Sequence, residues 1–298
     1  MSIKIRFEDI DEGLGECLAT LLAKRAGIEF AGYHRHHPLR EEHEIHVKLA
    51  SPDVPWKSQW NASLDELQEA IDSIGLVSIS DWRGEILFRH SHPEIANTFR
   101  RCLLSELHVL ALTKFNVKRN TTTLCNDILV RRLSQIPIRS HEGIPTTDSQ
   151  VTIALDSRLP SIEDQIKLKF PNLIYTKTIT TQDLDVEGGE IVTLVTNERG
   201  ERINSPTHHY PIVLLYPGES ISLRGVSSRG RGDQHSRFSP IGWFKYNYEP
   251  GSPFAEMDLS DIHMQIEMVG QLKFEEVVHE TKKEVVKTIS ALKLSNGD

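Results

Sequence analysis

The chain has only three cysteines in 298 residues, Cys17, Cys102 and Cys125, spaced too far apart for a CxxC pair. That excludes a disulfide framework and a four-thiolate zinc site, and fits a reducing compartment. Long apolar runs are missing as well. The most apolar short stretch, 212–216, falls far short of the roughly 20 residues that a membrane span requires. The opening Met1-Ser2-Ile3-Lys4-Ile5-Arg6 is charged almost at once and lacks a signal-peptide core. An intracellular, soluble protein with no membrane partner is expected. There is no basic surplus: the formal net charge is -8, which argues against a protein whose main task is coating phosphate backbones. With 18 glycines and 14 prolines the chain is too poor in both to be fibrous or of low complexity. The 38% hydrophobic and 26% charged fractions are those of a globular chain, long enough for two domains.

Periodicity carries the first positive information. Ile3, Ile5 and Phe7 alternate with charged residues as a half-buried strand should, and Leu14, Leu18, Leu21 and Leu22 then recur at helical spacing until Gly27. Residues 30–33 and 44–49 read as strands, and Ser63-Leu64-Asp65-Glu66 as a capping box opening a helix that carries Leu64, Leu67, Ile71 and Ile74 inward. The order is strand, helix, strand, strand, helix. It returns later. Residues 85–88 are strand-like, and Ser91-His92-Pro93-Glu94 is a second capping box with proline in the first turn. A helical stripe runs from Ile95 through Phe99, Cys102, Leu103 and Leu107 to Leu110, and 114–118 alternates as a strand. Met264, Ile266 and Met268 alternate again before a long helix over 274–292. The two halves share one plan, but about a hundred residues split the second, far beyond an ordinary loop. That insertion, 140–240, has short β-prone runs broken by turn residues and is expected to be a mostly β subdomain.

No nucleophile elbow, phosphate loop or zinc-protease helix is present. The densest group of reactive side chains is His34, His36, His37, His43 and His46. It reads either as zinc ligands of a metal-dependent hydrolase or as the exposed rim of a β-hairpin. A basic, glycine-rich stretch over 225–232, with Arg224 and Arg237 nearby, reads as a loop. It suits nucleic-acid phosphates, an acidic protein surface or plain solvation, and a free-standing nucleic-acid-binding β module is the third functional option.

At residues 120–138, Asn-Thr-Thr-Thr-Leu-Cys-Asn-Asp-Ile-Leu-Val-Arg-Arg-Leu-Ser-Gln-Ile-Pro-Ile, the chain resembles the alpha-like assembly subunits of multisubunit DNA-directed RNA polymerases. The likeness is specifically to the eukaryotic third-largest subunit and its D-type counterpart in archaea. Ile95-Ala96-Asn97-Thr98-Phe99-Arg100-Arg101 is similar to that family's Ala-Asn-Ser-Leu-Arg-Arg helix, and Thr181-Gln182-Asp183-Leu184 to its Ser-Lys-Asp-Leu turn. Residues 217–223 resemble its Gly-Gln-Glu-Leu strand. In 230–240, His235, Arg237, Phe238 and Pro240 match its Lys-Glu-His-Ala-Lys-Trp-x-Pro loop in type, with Asp233 and Gln234 replacing a lysine and a glutamate. The N-terminal part resembles the small partner of that family, the eukaryotic eleventh subunit or its L-type counterpart in archaea, through Glu29-Phe30-Ala31-Gly32-Tyr33 and His37-Pro38-Leu39. Glu12-Gly13-Leu14-Gly15 stands where that family has His-Thr-Leu-Gly.

The resemblance implies an α+β chain of two βαββα RNA-polymerase-alpha-type dimerisation units forming an intramolecular pseudo-heterodimer. The expected divisions are an eleventh-subunit-like unit over 1–75, a linker over 76–83, a third-subunit-like unit over 84–139 and 241–298, and the β-rich insertion over 140–240. It further implies a non-catalytic platform that recruits the large catalytic polymerase subunits and small accessory ones, with DNA contacted only through the complex. The expected partner-binding residues are Asn97, Arg100 and Arg101 on one helix, Asp127, Arg131 and Arg132 on another, and His235, Arg237 and Phe238 on the insertion loop. Arginine's planar fork suits bidentate contacts there. No catalytic residue, cofactor or metal is expected: the cysteine cluster that often marks the third subunit's insertion is missing. Fusions of this kind resemble the arrangement in some large nucleocytoplasmic DNA viruses. A viral source follows as an expectation, with residence in host cytoplasm or nucleus and packaging in the virion. Because the chain ends in the dimerisation helix, no DNA-binding C-terminal domain like that of bacterial alpha is expected.

Overall fold

In the computed structural model, residues 1–8, 12–35, 42–167, 175–198, 201–248 and 260–294 are described. Alternation of Ile3, Ile5 and Phe7 gives β1 (Ser2–Glu8), and the leucine stripe gives α1 (Glu12–Ala23). Then come β2 (Ile28–Arg35), β3 (Glu42–Leu49) and α2 (Trp56–Asp72). Strand β3 lies between β1 and β2, antiparallel to both, and turns Ile45, Val47 and Leu49 onto the helices. Helix α2 begins two turns before the expected capping box. Pro55 precedes it, Trp56 and Trp60 extend its apolar face upstream, and Ser63 is a buried mid-helix residue whose hydroxyl donates to the Gln59 carbonyl.

The segment expected as linker, 76–83, is folded. After only Ser73 and Ile74, β4 (Gly75–Ser80) pairs antiparallel with β5 (Arg83–Ser91), leading into α3 (Pro93–Ser105). Proline occupies the first helical position as expected. However, His92 rather than Ser91 is the cap residue, and Ser91 ends the strand. The helix stops at Ser105, so Leu107 and Leu110 lie beyond it.

The next elements are β6 (His108–Asn120), α4 (Asn126–Ser134), β7 (Ile138–Ser140), β8 (Thr152–Arg158) and α5 (Ile162–Lys167). They are followed by β9 (Lys177–Thr180), β10 (Asp185–Glu187), β11 (Gly189–Ile191), β12 (Leu194–Thr196), β13 (Arg202–Asn204), β14 (Pro211–Leu215) and β15 (Ser220–Arg231). The chain closes with β16 (Ile241–Tyr248), β17 (Ser260–Met268) and α6 (Phe274–Ala291).

Strand β6 does not complete the repeat. It pairs along its whole length with β15, from Ile221↔Asn120 to Arg231↔His108, in a sheet ordered β10-β8-β15-β6. The repeat's missing strand is β16: the other sheet is ordered β16-β17-β5-β4, so β5, β16 and β17 mirror β1, β2 and β3 with β4 added at the edge. The expected boundary at 140 therefore moves back to about β6. Leu110, Leu112, Leu129, Leu133, Ile136 and Ile138 belong to the insertion's own core together with Ile153, Leu155 and Leu223.

The other core is continuous across both units. Helix α1 packs on α3 and α2 on α6, so equivalent helices of the two repeats meet. Trp60, Phe88, Phe99 and Phe274 are at most 1% exposed, and each buried phenylalanine ring stabilises by about 1.5–3 kcal/mol. Phe274 is admitted by Gly84, where a Cβ would lie 2.3 Å from its ring. Hydrogen bonds seal the seam: Trp60 Nε1 donates to Leu292 O at 2.8 Å, and Asn61 exchanges two bonds with the Leu294 backbone.

Candidate docking surface

Three groups of side chains face outward where the sequence placed partner contacts. On α3, the stripe Ile95, Phe99, Cys102 and Leu103 turns inward, leaving Asn97 exposed and Arg100 and Arg101 half-buried. Arg100 donates through Nε and Nη2 to Asn97 Oδ1, at 3.2 and 2.9 Å, and its guanidinium lies 5.8 Å from the centre of the Phe244 ring. Arg101 Nη1 stands 3.7 Å from Glu12 Oε2 on α1, a carboxylate also 3.5 Å from Arg35 Nη1. This group closes the rim of the seam between the two units and is already engaged within the chain.

On α4, only Leu129, Leu133 and Ser134 are buried. Asn120 builds the turn before the helix: its Nδ2 donates to Leu124 O and Asn126 Oδ1, each at 2.8 Å, and its Oδ1 accepts from Thr122 N. Asp127 in the first turn and Arg131 and Arg132 in the last follow the helix dipole. Arg132 Nη1 donates to Ile212 O at 2.8 Å, whereas the side chains of Asp127 and Arg131 have no partner among the described residues.

The third group is a tight turn after β15. His235 caps a single 3-10 turn, its Nδ1 accepting from Arg237 N at 3.1 Å. Arg237 Nη1 donates to Leu112 O at 3.3 Å, and Gln271 Nε2 holds the Arg237 carbonyl at 3.0 Å. Phe238 is a correction to the expected contact set. It is 7% exposed and packs on Gly230, where a Cβ would sit 2.6 Å from the ring, so it anchors the turn from beneath. The stretch read as a loop, 225–232, is mostly β15. It is paired with β6 as far as Arg231 and with β8 as far as Val226, and Arg231 is bonded to Glu106 and Asp233 at 2.9 and 2.8 Å.

The second and third groups converge. Asp127, Arg131, Ser134, His235 and Arg237 line one groove of about 460 Å3. On the other side of α4 lies a wider groove of about 690 Å3, with Ile128, Ile136, Pro211 and Ile212 among its apolar walls and Arg132 and Arg202 at its edge. Sequence reading missed Ile128, Arg202 and the 210–212 wall. Ile128 carried a signal, since it sits off the Leu129–Leu133 face yet is apolar, and the structure leaves it 48% exposed. The 181–184 motif forms another 3-10 turn, with Thr180 as its cap. Burial pushes the Asp183 carboxyl up, but the bonds from Lys177 and Thr180 outweigh it and hold it below the usual range.

The described histidines, His34, His43 and His46, do not assemble as ligands. His43 is buried, stacked on Tyr33 and hydrogen-bonded to its hydroxyl through Nδ1. His46 Nε2 bonds Glu44 Oε2 at 2.8 Å, and His34 lies edge-on to His46 with ring centres 5.9 Å apart. His36 and His37 lie outside the described residues. Among the described residues no three His, Cys, Asp or Glu side chains gather to hold a metal ion, so nothing there favours the hydrolase reading. No described helix is long and apolar enough to cross a membrane.

Residues 2–75 match the family model described as the RNA polymerase Rpb3/Rpb11 dimerisation domain, and residues 85–288 match a second model of the same description. Among curated proteins, the chain is 24% identical over 214 residues to DNA-directed RNA polymerases IV and V subunit 3B of Arabidopsis thaliana, covering 69% of this chain and 63% of that one. It is 21% identical over 179 residues to DNA-directed RNA polymerase subunit Rpo3 of Archaeoglobus fulgidus, covering 59% and 61%. The Rpo3 subunit of Methanocaldococcus jannaschii is 23% identical over 201 residues, covering 67% and 83%. The chain thus spans 63% and 61% of the lengths of the first two relatives.

Proposed function

That this chain belongs to the RNA polymerase Rpb3/Rpb11 dimerisation-domain family is the premise from which we propose its function. It is a non-catalytic platform subunit of a DNA-directed RNA polymerase, on which the large catalytic subunits assemble. The first unit takes the part of the eleventh, L-like subunit and the second that of the third, D-like subunit, so the pairing usually made between two chains is made within one. The observation that carries this reading is the continuous core beneath α1, α2, α3 and α6, with like helices facing like. A connection of two residues, Ser73 and Ile74, supports a fused pseudo-heterodimer rather than two independent modules. The one-chain arrangement resembles that of some large DNA viruses, and we adopt a viral source. DNA is contacted through the assembled complex.

Asn97, Arg100 and Arg101 present one docking face, and Asp127, Arg131, Arg132, His235 and Arg237 another. Because Arg100 and Arg101 also serve the chain internally, the test needs two readouts. Arg100→Glu with Arg101→Glu is expected to leave the chain folded, since the rim ion pair and the cation–π contact that it removes each contribute at most about 1 kcal/mol. The same variant is expected to lose co-purification with the large subunits. Undiminished co-purification would remove this face from the proposal.

A further inference from the structure

Arg131 stands on the ridge between the two grooves that flank α4, lining both; it is exposed, and its guanidinium has no partner among the described residues. Around it the charge is one-sided. Arg132, Arg202, Arg237 and His235 line the same grooves against the single carboxylate of Asp127, in a chain whose net charge is -8. Arg132 and Arg237 are held by neutral backbone carbonyls and keep their charge, while Arg202 is paired with Glu267 at 3.2 Å. The rest of the wider groove is mainly aliphatic, with Ile136, Pro137, Pro211 and Ile212 in its walls and Ile128 at the lip, beside Gln135 and the Tyr210 ring.

We infer that this surface receives an acidic segment of a partner polypeptide, with a carboxylate on Arg131 and a neighbouring aliphatic side chain lodged between Ile128 and Ile212. One unengaged guanidinium beside an aliphatic trough matches a carboxylate followed by an apolar side chain. A nucleic-acid strand would need a row of free cations and a series of aromatic faces for its bases, whereas the grooves offer one unengaged guanidinium and a single tyrosine ring, Tyr210. That the partner is a polymerase subunit rests on the platform reading; the chemistry of the segment rests on the grooves alone.

The test uses the full chain and a short fluorescein-labelled peptide of glutamate and leucine, followed by fluorescence anisotropy. Parallel probes are a glutamate–serine peptide, a lysine–leucine peptide and single-stranded DNA. The glutamate–leucine peptide should bind best, and Arg131→Glu should weaken it at least about tenfold. Ile128→Glu should do the same by placing charge in the trough. Both residues are exposed, so neither substitution disturbs the core. Equal binding by the glutamate–serine peptide, tighter binding of DNA, or an affinity indifferent to both substitutions would overturn the inference. Failure of the unaltered chain to co-purify with polymerase subunits would instead overturn the platform reading and leave the peptide result standing.

Discussion

At the scale of single residues, Arg139 and Glu276 join the insertion to the second dimerisation unit. Both terminal nitrogens of Arg139 donate to the Glu276 carboxylate, at 2.8 and 2.6 Å, and the same carboxylate accepts from Lys273 N at the start of α6. Burial pushes the Glu276 carboxyl up, but the bonds from Arg139 and the Lys273 backbone, with both positive charges, hold it below the ordinary glutamate range. A depressed acid stabilises the fold above its unfolded-state pKa, and that stabilisation is lost as pH falls through the folded one. Glu276→Gln is therefore expected to cost about 2 kcal/mol at neutral pH in urea unfolding. The gap from the unaltered chain should narrow as the solution is acidified below the glutamate range, and a gap constant with pH would contradict this account. Thiol chemistry offers a second check. Burial, with the nearby Glu94 and Glu66 carboxylates, pushes the Cys17 thiol up to about 12, and Cys102 is buried too. Only exposed Cys125 should react rapidly with an aromatic disulfide reagent in the native chain, the other two following in denaturant.

Elements were legible where a face was one-sided and misread where a pattern was purely local. The α1 and α6 stripes, β3 and β17 are visible in sequence because their apolar residues recur at helical or strand period on one buried side. The strand at 114–118 was equally visible, yet alternation does not say which distant strand a segment will pair with, and β15 lies over a hundred residues away. Ser63 looked like a cap because the residues that follow fit one. Only tertiary burial of Trp60 reveals that the helix had already begun. The turn after β15 was marked by His235 and Arg237, but groove walls brought together from α4, β14 and the segment after β17 could not be read from any one of them alone. One contact between elements carries its own test. Lys282 on α6 reaches the carbonyls at the end of α2, Ile74 O at 3.0 Å and Asp72 O at 3.4 Å. Lys282→Met keeps the aliphatic stem and removes that cap, and should cost about 1 kcal/mol of thermal or urea stability.

For the whole molecule, the shared core predicts that the covalent connection is dispensable once folding is complete. A protease site introduced after exposed Ser73 and then cut should leave the two fragments co-eluting. Their melting temperature should now rise with protein concentration, as mass action requires of a bimolecular pair. Fragments that separate on a sizing column would show that the common core is too weak to hold the units together. The same layout sets a schedule for synthesis. Trp60 must wait for Leu292, 232 residues downstream, before its indole meets its partner. At ribosomal speeds of about 5–20 residues per second that is a delay of roughly 12 to 46 seconds. During that interval the nascent N-terminal half holds an oily flank open to water, which makes it a natural client for chaperones that attend the ribosome exit.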